Sequence, residues 1–150
     1  MQKKYYDKIF IDLDYNVDEK IRKKILEMSD IIIINLNQRM SSLNDFLEKK
    51  EENQLLNSPK TLLLIGRYDS YSKYNSKNIS RYLGEKNQVL TIPYNTLFFE
   101  AAEEANVPDL FLNYRRIKDI TDKNNNFISE VKRASENIIY RIQEIQANII

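Results

Sequence analysis

A three-layer α/β domain with a mainly parallel sheet is what this sequence predicts. Three observations carry the prediction. Four short apolar runs recur along the chain: Lys8-Ile9-Phe10-Ile11-Asp12, Ile31-Ile32-Ile33-Ile34-Asn35, Leu62-Leu63-Leu64-Ile65-Gly66-Arg67 and Val89-Leu90-Thr91-Ile92-Pro93. They are rich in aliphatic and β-branched residues and continuously apolar rather than alternating, as strands buried on both faces are. Amphipathic helical sequence separates them, which is the order of parallel strands joined by crossover helices.

The first strand is expected over 8–12. Asn16-Val17-Asp18-Glu19 then resembles a capping box, with Asn16 as cap and Glu19 reaching back. Val17, Ile21, Ile25 and Met28 make one helical face to about Ser29, and Asp30 turns the chain into the isoleucine strand. A polar turn, Asn37-Gln38-Arg39, leads to a helix carrying Met40, Leu43, Phe46 and Leu47, with a solvated tail at 48–52. Asn57-Ser58-Pro59 breaks the pattern before the third strand. The polar, tyrosine-rich stretch 68–75 is expected to be a loop. Ser76 is expected to cap a short helix bearing Ile79, Tyr82 and Leu83, closed by Gly84. After the fourth strand, Leu97, Ala101 and Ala105 mark another short helix. Asn124-Asn125-Asn126 starts a last one, whose stripe is Ile128, Val131, Ile138, Ile142, Ile145 and Ile149.

With 150 residues, 42% of them apolar and 30% charged, the chain reads as one globular domain spanning 1–150, with no repeat, linker or low-complexity tract. Lys and Arg number 23 against 22 Asp and Glu, so net charge gives no reason to expect a nucleic-acid partner. Cysteine and histidine are both absent, which removes disulfides, thiol nucleophiles, imidazole bases and the usual zinc sites. The absence of cysteine is consistent with a cytoplasmic location. The basic start has no apolar core of signal-peptide length, and the longest pure apolar run, Ile31 to Ile34, is far short of a membrane span. The mixed charges of the last helix, Glu130, Glu136 and Glu144 among Lys132, Arg133 and Arg141, argue for packing on the sheet rather than for a lipid surface.

In open parallel sheets the ligand site lies beyond the carboxyl ends of the strands. Asp12, Asn35, Gly66-Arg67 and Pro93-Tyr94 all fall at such ends. A strand-end carboxylate such as Asp12, with Asp14 two residues on, is where P-loop ATPases bind Mg²⁺ beside nucleotide phosphates; it is also an ordinary way to begin a helix. The tyrosines and Lys73 of the 68–74 loop are more simply solvated loop side chains than a base-stacking platform. The pair Arg115-Arg116 reads as a surface feature. An acidic strand end also suggests a receiver domain. However, the later strand ends are Asn35, Gly66 and Pro93, which lack the phosphorylatable Asp and the Lys before a Pro that a receiver needs.

Five segments in order extend the reading. Tyr6 to Asp12 is similar to the Walker B strand of the MinD/ParA-type deviant Walker ATPases, a group that includes the pilus-localising TadZ proteins. Met40-Ser41-Ser42-Leu43-Asn44-Asp45 resembles their following helix start, and Leu64-Ile65-Gly66-Arg67-Tyr68-Asp69 their segment near the adenine. Ile92-Pro93-Tyr94 and the run from Glu100 to Pro108 resemble their next strand end and helix end. The resemblance covers nearly the whole chain. It implies the C-terminal portion of a partial P-loop NTPase, or Rossmann-like, domain. ATP and Mg²⁺ would serve the parent protein, with Asp12 the Mg²⁺-side carboxylate and Gly66, Arg67, Pro93 and Tyr94 flanking the base. The implied role is subcellular positioning or partitioning, with a homodimer or an N-terminal half and a protein of the positioning system as partners. The rival reading is a non-catalytic interaction domain with a degenerate nucleotide pocket.

The departures matter. Leu13-Asp14-Tyr15-Asn16 stands where the family often has Pro and Gly, Gly66 replaces Asn or Thr, and Asn106 stands where Gly is common. No glycine-rich phosphate loop occurs in the sequence, so nothing holds the β- and γ-phosphates. The chain is therefore expected not to hydrolyse ATP by itself. The resemblance also implies a missing strand between 8–12 and 31–35. The sheet is expected to close by pairing those two directly or, preferably, to be completed by another chain.

Overall fold

The computed structural model describes residues 8–14, 16–84, 89–114, 122 and 124–147. Three strands, β1 (Ile32–Leu36), β2 (Thr61–Tyr68) and β3 (Leu90–Pro93), form one parallel sheet in the order β1-β2-β3. Six helices accompany them among the described residues: α1 (Glu19–Met28), α2 (Met40–Glu52), α3 (Ser76–Tyr82), α4 (Thr96–Glu103), α5 (Val107–Tyr114) and α6 (Asn125–Ala147). The fold is thus mixed α/β, an open parallel sheet flanked by helices.

Strands laid down in sequence order, with crossovers of one hand, place their connecting helices on one face. Accordingly Leu43 and Phe46 of α2, Ile79 of α3 and the following Leu83 pack with Leu63 and Ile65 of β2 and with Val89. Leu43, Ile65, Ile79 and Val89 are fully buried. Burial of such side chains contributes roughly 1.5–3 kcal/mol each. A 3₁₀ turn, Gln54–Asn57, follows α2, and the Leu55 carbonyl accepts from Thr61 Oγ1 at 2.8 Å, fixing the entry to β2.

Helix α6 runs against β3 in the opposite sense. Near its start Asn95 Nδ2 donates to Asn124 Oδ1 at 2.8 Å, and near its end Arg141 Nε donates to the Pro59 carbonyl at 2.9 Å. Between them, buried Thr91 donates to Glu130 Oε2 at 2.9 Å and accepts from Arg133 Nη2 at 3.2 Å. Phe127 joins Phe98 of α4 and Phe111 of α5 in one aromatic cluster, with centroids 5.3–6.4 Å apart. Such ring pairs add to area burial.

Several expectations need correction. Residues 8–12 are not a strand: they are irregular, and Ile9, Phe10 and Ile11 are 74%, 88% and 57% exposed. A run with β propensity becomes a strand only where a neighbour takes its backbone groups, and no strand lies beside it among the described residues. Neither direct pairing of 8–12 with 31–35 nor another strand on the free side of β1 is present among those residues. Strand β1 is buried on one face only, leaving Ile33 and Asn35 exposed. The cap of α1 is Asp18, not Asn16; its carboxylate accepts from the amides of Lys20 and Ile21, and Glu19 is the first helical residue. The cap of α3 is Asn75, whose side chain accepts from the Asn78 amide, and Ser76 is already helical. Helix α5 is an addition to the expected elements, and the left-handed residue ahead of it is Ala105, at φ 55°, one before the Asn106 that stands where the family has Gly. Tyr6, Tyr15, Arg115, Arg116 and Ile149 lie outside the described residues.

Candidate ligand site at the carboxyl edge

Because all three strands are parallel, their carboxyl ends share one edge of the sheet. Tyr68 is level with Pro93 across β2 and β3, so Gly66, Arg67, Pro93 and Tyr94 all lie toward that edge. Between Ile65 and Tyr68 the register shifts, and within this irregularity Arg67 adopts φ 51°. A bulge of this kind bends a strand and re-aims its side chains.

Gly66 lets a neighbour approach closely. A Cβ there would lie 3.0 Å from Asn35 Oδ1, tighter than nearly all real contacts. Asn35, Leu36, Asn37, Gly66 and Arg67 together line a pocket of about 210 Å³. That is below the 300–1,000 Å³ typical of a whole small-molecule site, so it suits one planar or anionic group rather than an entire nucleotide. The lining offers a guanidinium and two carboxamides. Pro93 and Tyr94 share the edge but not this lining.

The loops around the pocket are tied by a residue that sequence reading treated only as part of a turn. Gln38 Nε2 donates to the carbonyls of Asp69 and Tyr74 at 3.0 and 2.8 Å, and its Oε1 accepts from the Asp69 amide at 2.7 Å. One side chain thus clamps the 69–74 loop to the turn after β1. Asn37 Oδ1 accepts from the Arg39 amide at 2.9 Å, which shapes the start of α2. The polar run Asn35, Asn37, Gln38 directly after an all-aliphatic stretch was the available signal for these residues. A second hollow, about 390 Å³ and largely apolar, lies over α2 and α3 between Met40, Leu43, Lys73, Tyr74, Asn78, Ile79 and Tyr82. There Lys73 Nζ sits 5.1 Å from the Tyr74 ring centre, and Tyr82 donates to Asn44.

The resemblance implies Mg²⁺ beside Asp12. Asp12 lies exposed on irregular backbone rather than at a strand end, and no group of three acidic side chains among the described residues is placed to hold a metal ion. For ATP, the pocket of about 210 Å³ leaves room for a base-sized group only. No helix among the described residues is long and apolar enough to cross a membrane. No protein-family model, curated protein or solved structure matches this chain.

Proposed function

We propose that this chain is a non-hydrolysing recognition domain of the MinD/ParA-like type, whose carboxyl-edge pocket receives the base end of an adenine nucleotide. The left-handed Arg67, set in a bulge beside Asn35 and Gly66, is the observation that carries this reading. A non-glycine residue held in that conformation costs roughly 1–2 kcal/mol, and such strain concentrates at ligand sites. Asn35 and Asn37 offer carboxamides to a base edge, and a guanidinium stacks on planar rings. The phosphates would be held by a segment outside these residues. A role in positioning or partitioning, and nucleotide-driven association with a partner, rest on the sequence resemblance alone.

The place of Asp12 outside the sheet favours the second reading, a protein-interaction domain whose pocket is degenerate. One titration separates the two. Adenosine, ADP and ATP are added to ¹⁵N-labelled chain, and the amide shifts of Asn35, Asn37, Gly66 and Arg67 are followed. The expected result is saturable shifts with millimolar affinity, lost in Arg67→Ala, and no Mg²⁺-dependent turnover. Silence at those amides with all three ligands would leave the interaction-domain reading. Turnover abolished by Asp12→Ala would overturn the non-hydrolysing assignment.

A further inference from the structure

One chain here carries both halves of a strand pairing that it does not make. The first half is the segment 8–12, with Ile9, Phe10 and Ile11 largely in solvent. The second is the free side of β1. Ile32 donates its amide to the Lys60 carbonyl at 2.9 Å, on the side facing β2. Alternation along a strand then points the N–H groups of Ile33 and Asn35 to the open edge, where no described strand meets them. Ile33, on the same strand, is also 40% exposed.

The connecting helix is shallowly packed. No residue of α1 is buried, and Ile21 and Met28 are more than half exposed. Its firm tie is at its carboxyl end, where Lys60 Nζ donates to the carbonyls of Leu26, Glu27 and Ser29 at 2.8–3.2 Å. Segment 8–12, ahead of α1, thus forms an arm whose apolar side chains Ile9, Phe10 and Ile11 lie largely in solvent.

We infer that two copies of this chain exchange these arms, residues 8–12 of each lying along the β1 edge of the other. The exchange satisfies the outward amides of Ile33 and Asn35 and extends each parallel sheet by one strand. It is self-complementary about a twofold axis, the commonest way soluble chains pair. Ile9, Phe10, Ile11, Ile21, Met28 and Ile33 are six large apolar side chains. At roughly 60–120 Å² each, they cover on the order of 400–700 Å² per copy. Backbone from the paired strands brings this close to the ~800 Å² per partner of a standard specific interface. The association is independent of the carboxyl-edge pocket.

The 150-residue chain tests this directly, and having no cysteine it makes each introduced thiol unique. Sedimentation at micromolar concentration is expected to give a dimer, with slow amide exchange at Ile33 and Asn35. Phe10→Asp, at a side chain 88% exposed in the single chain, is expected to give a folded monomer whose unfolding midpoint no longer depends on protein concentration, whereas that of the unaltered chain does. Chains carrying Ile11→Cys, mixed with chains carrying Ile33→Cys, are expected to cross-link far more than either variant alone. A monomer at every concentration overturns the inference, whether the two amides are unprotected or are protected by the arm folding back on its own β1. So does a dimer that survives Phe10→Asp.

Discussion

Gly84 and Ala105 both carry a left-handed backbone, with φ of 64° and 55°, and both follow the end of a helix. At Gly84 an added Cβ would meet nothing within 4 Å, so Gly84→Ala isolates the backbone cost. We expect a loss of about 1 kcal/mol, the lower end of the penalty for an L-residue in this region. Ala105 is the converse. The Asn106 amide donates to the Ala101 carbonyl at 2.7 Å and the Ala105 amide to that of Ala102 at 3.2 Å, a complete Schellman closure with alanine at the position glycine favours. Ala105→Gly is expected to stabilise by roughly 0.5–1 kcal/mol, because relief of strain exceeds the added freedom of the unfolded chain. Urea unfolding of both variants checks the pair. Equal signs for the two substitutions would show that the left-handed geometry is not what sets their effects.

At the scale of elements, α1 and α2 differ in what holds them. Helix α2 buries Leu43 and Phe46 in the core, whereas α1 buries nothing. A ten-residue helix whose Ile25 and Leu26 are only half-buried is marginal in water, so α1 leans on its ends: Asp18 at the start and Lys60 over the last carbonyls. Asp18→Ala removes a cap that stabilises such a helix by about 1 kcal/mol. The expected outcome is faster amide exchange across 19–28 with an almost unchanged global midpoint. A drop in the midpoint of several degrees would mean that α1 is part of the cooperative core after all.

Taken as a whole molecule, the described structure places its cooperative core on the α2–α3 side of the sheet. Ile65 is the central side chain of that core, fully buried on the middle strand. Ile65→Ala removes three carbons from a site that cannot collapse, since helices and both neighbouring strands hold it open. We expect a loss of 3–4 kcal/mol, within the usual range for such truncations. Chemical denaturation followed by far-UV circular dichroism measures it. A loss below about 1 kcal/mol would place the stabilising core elsewhere.

What the sequence by itself determined is the set of elements whose signals are local. The aliphatic run ending at Arg67 and the run ending at Pro93 became β2 and β3, and the apolar spacing of Met40, Leu43, Phe46 and Leu47 became α2. The stripe from Ile128 through Ile145 is half-buried along α6, while the residues it buries, Phe127 and Ala134, lie outside that stripe. Parallel connectivity followed from the alternation of strand and helix, which brought Gly66, Arg67, Pro93 and Tyr94 to one edge. Tertiary structure decided everything that needs a second, distant residue. Whether Lys8 to Asp12 is a strand depends on a neighbour to accept its backbone hydrogen bonds, and its own side chains cannot supply one. The Gln38 clamp joins residues more than thirty positions apart, and the pocket exists because Gly66, two residues beyond the Leu64 that pairs with Asn35, lets the Asn35 side chain approach across two strands. Propensity acts along the chain, while pairing and close approach act across it.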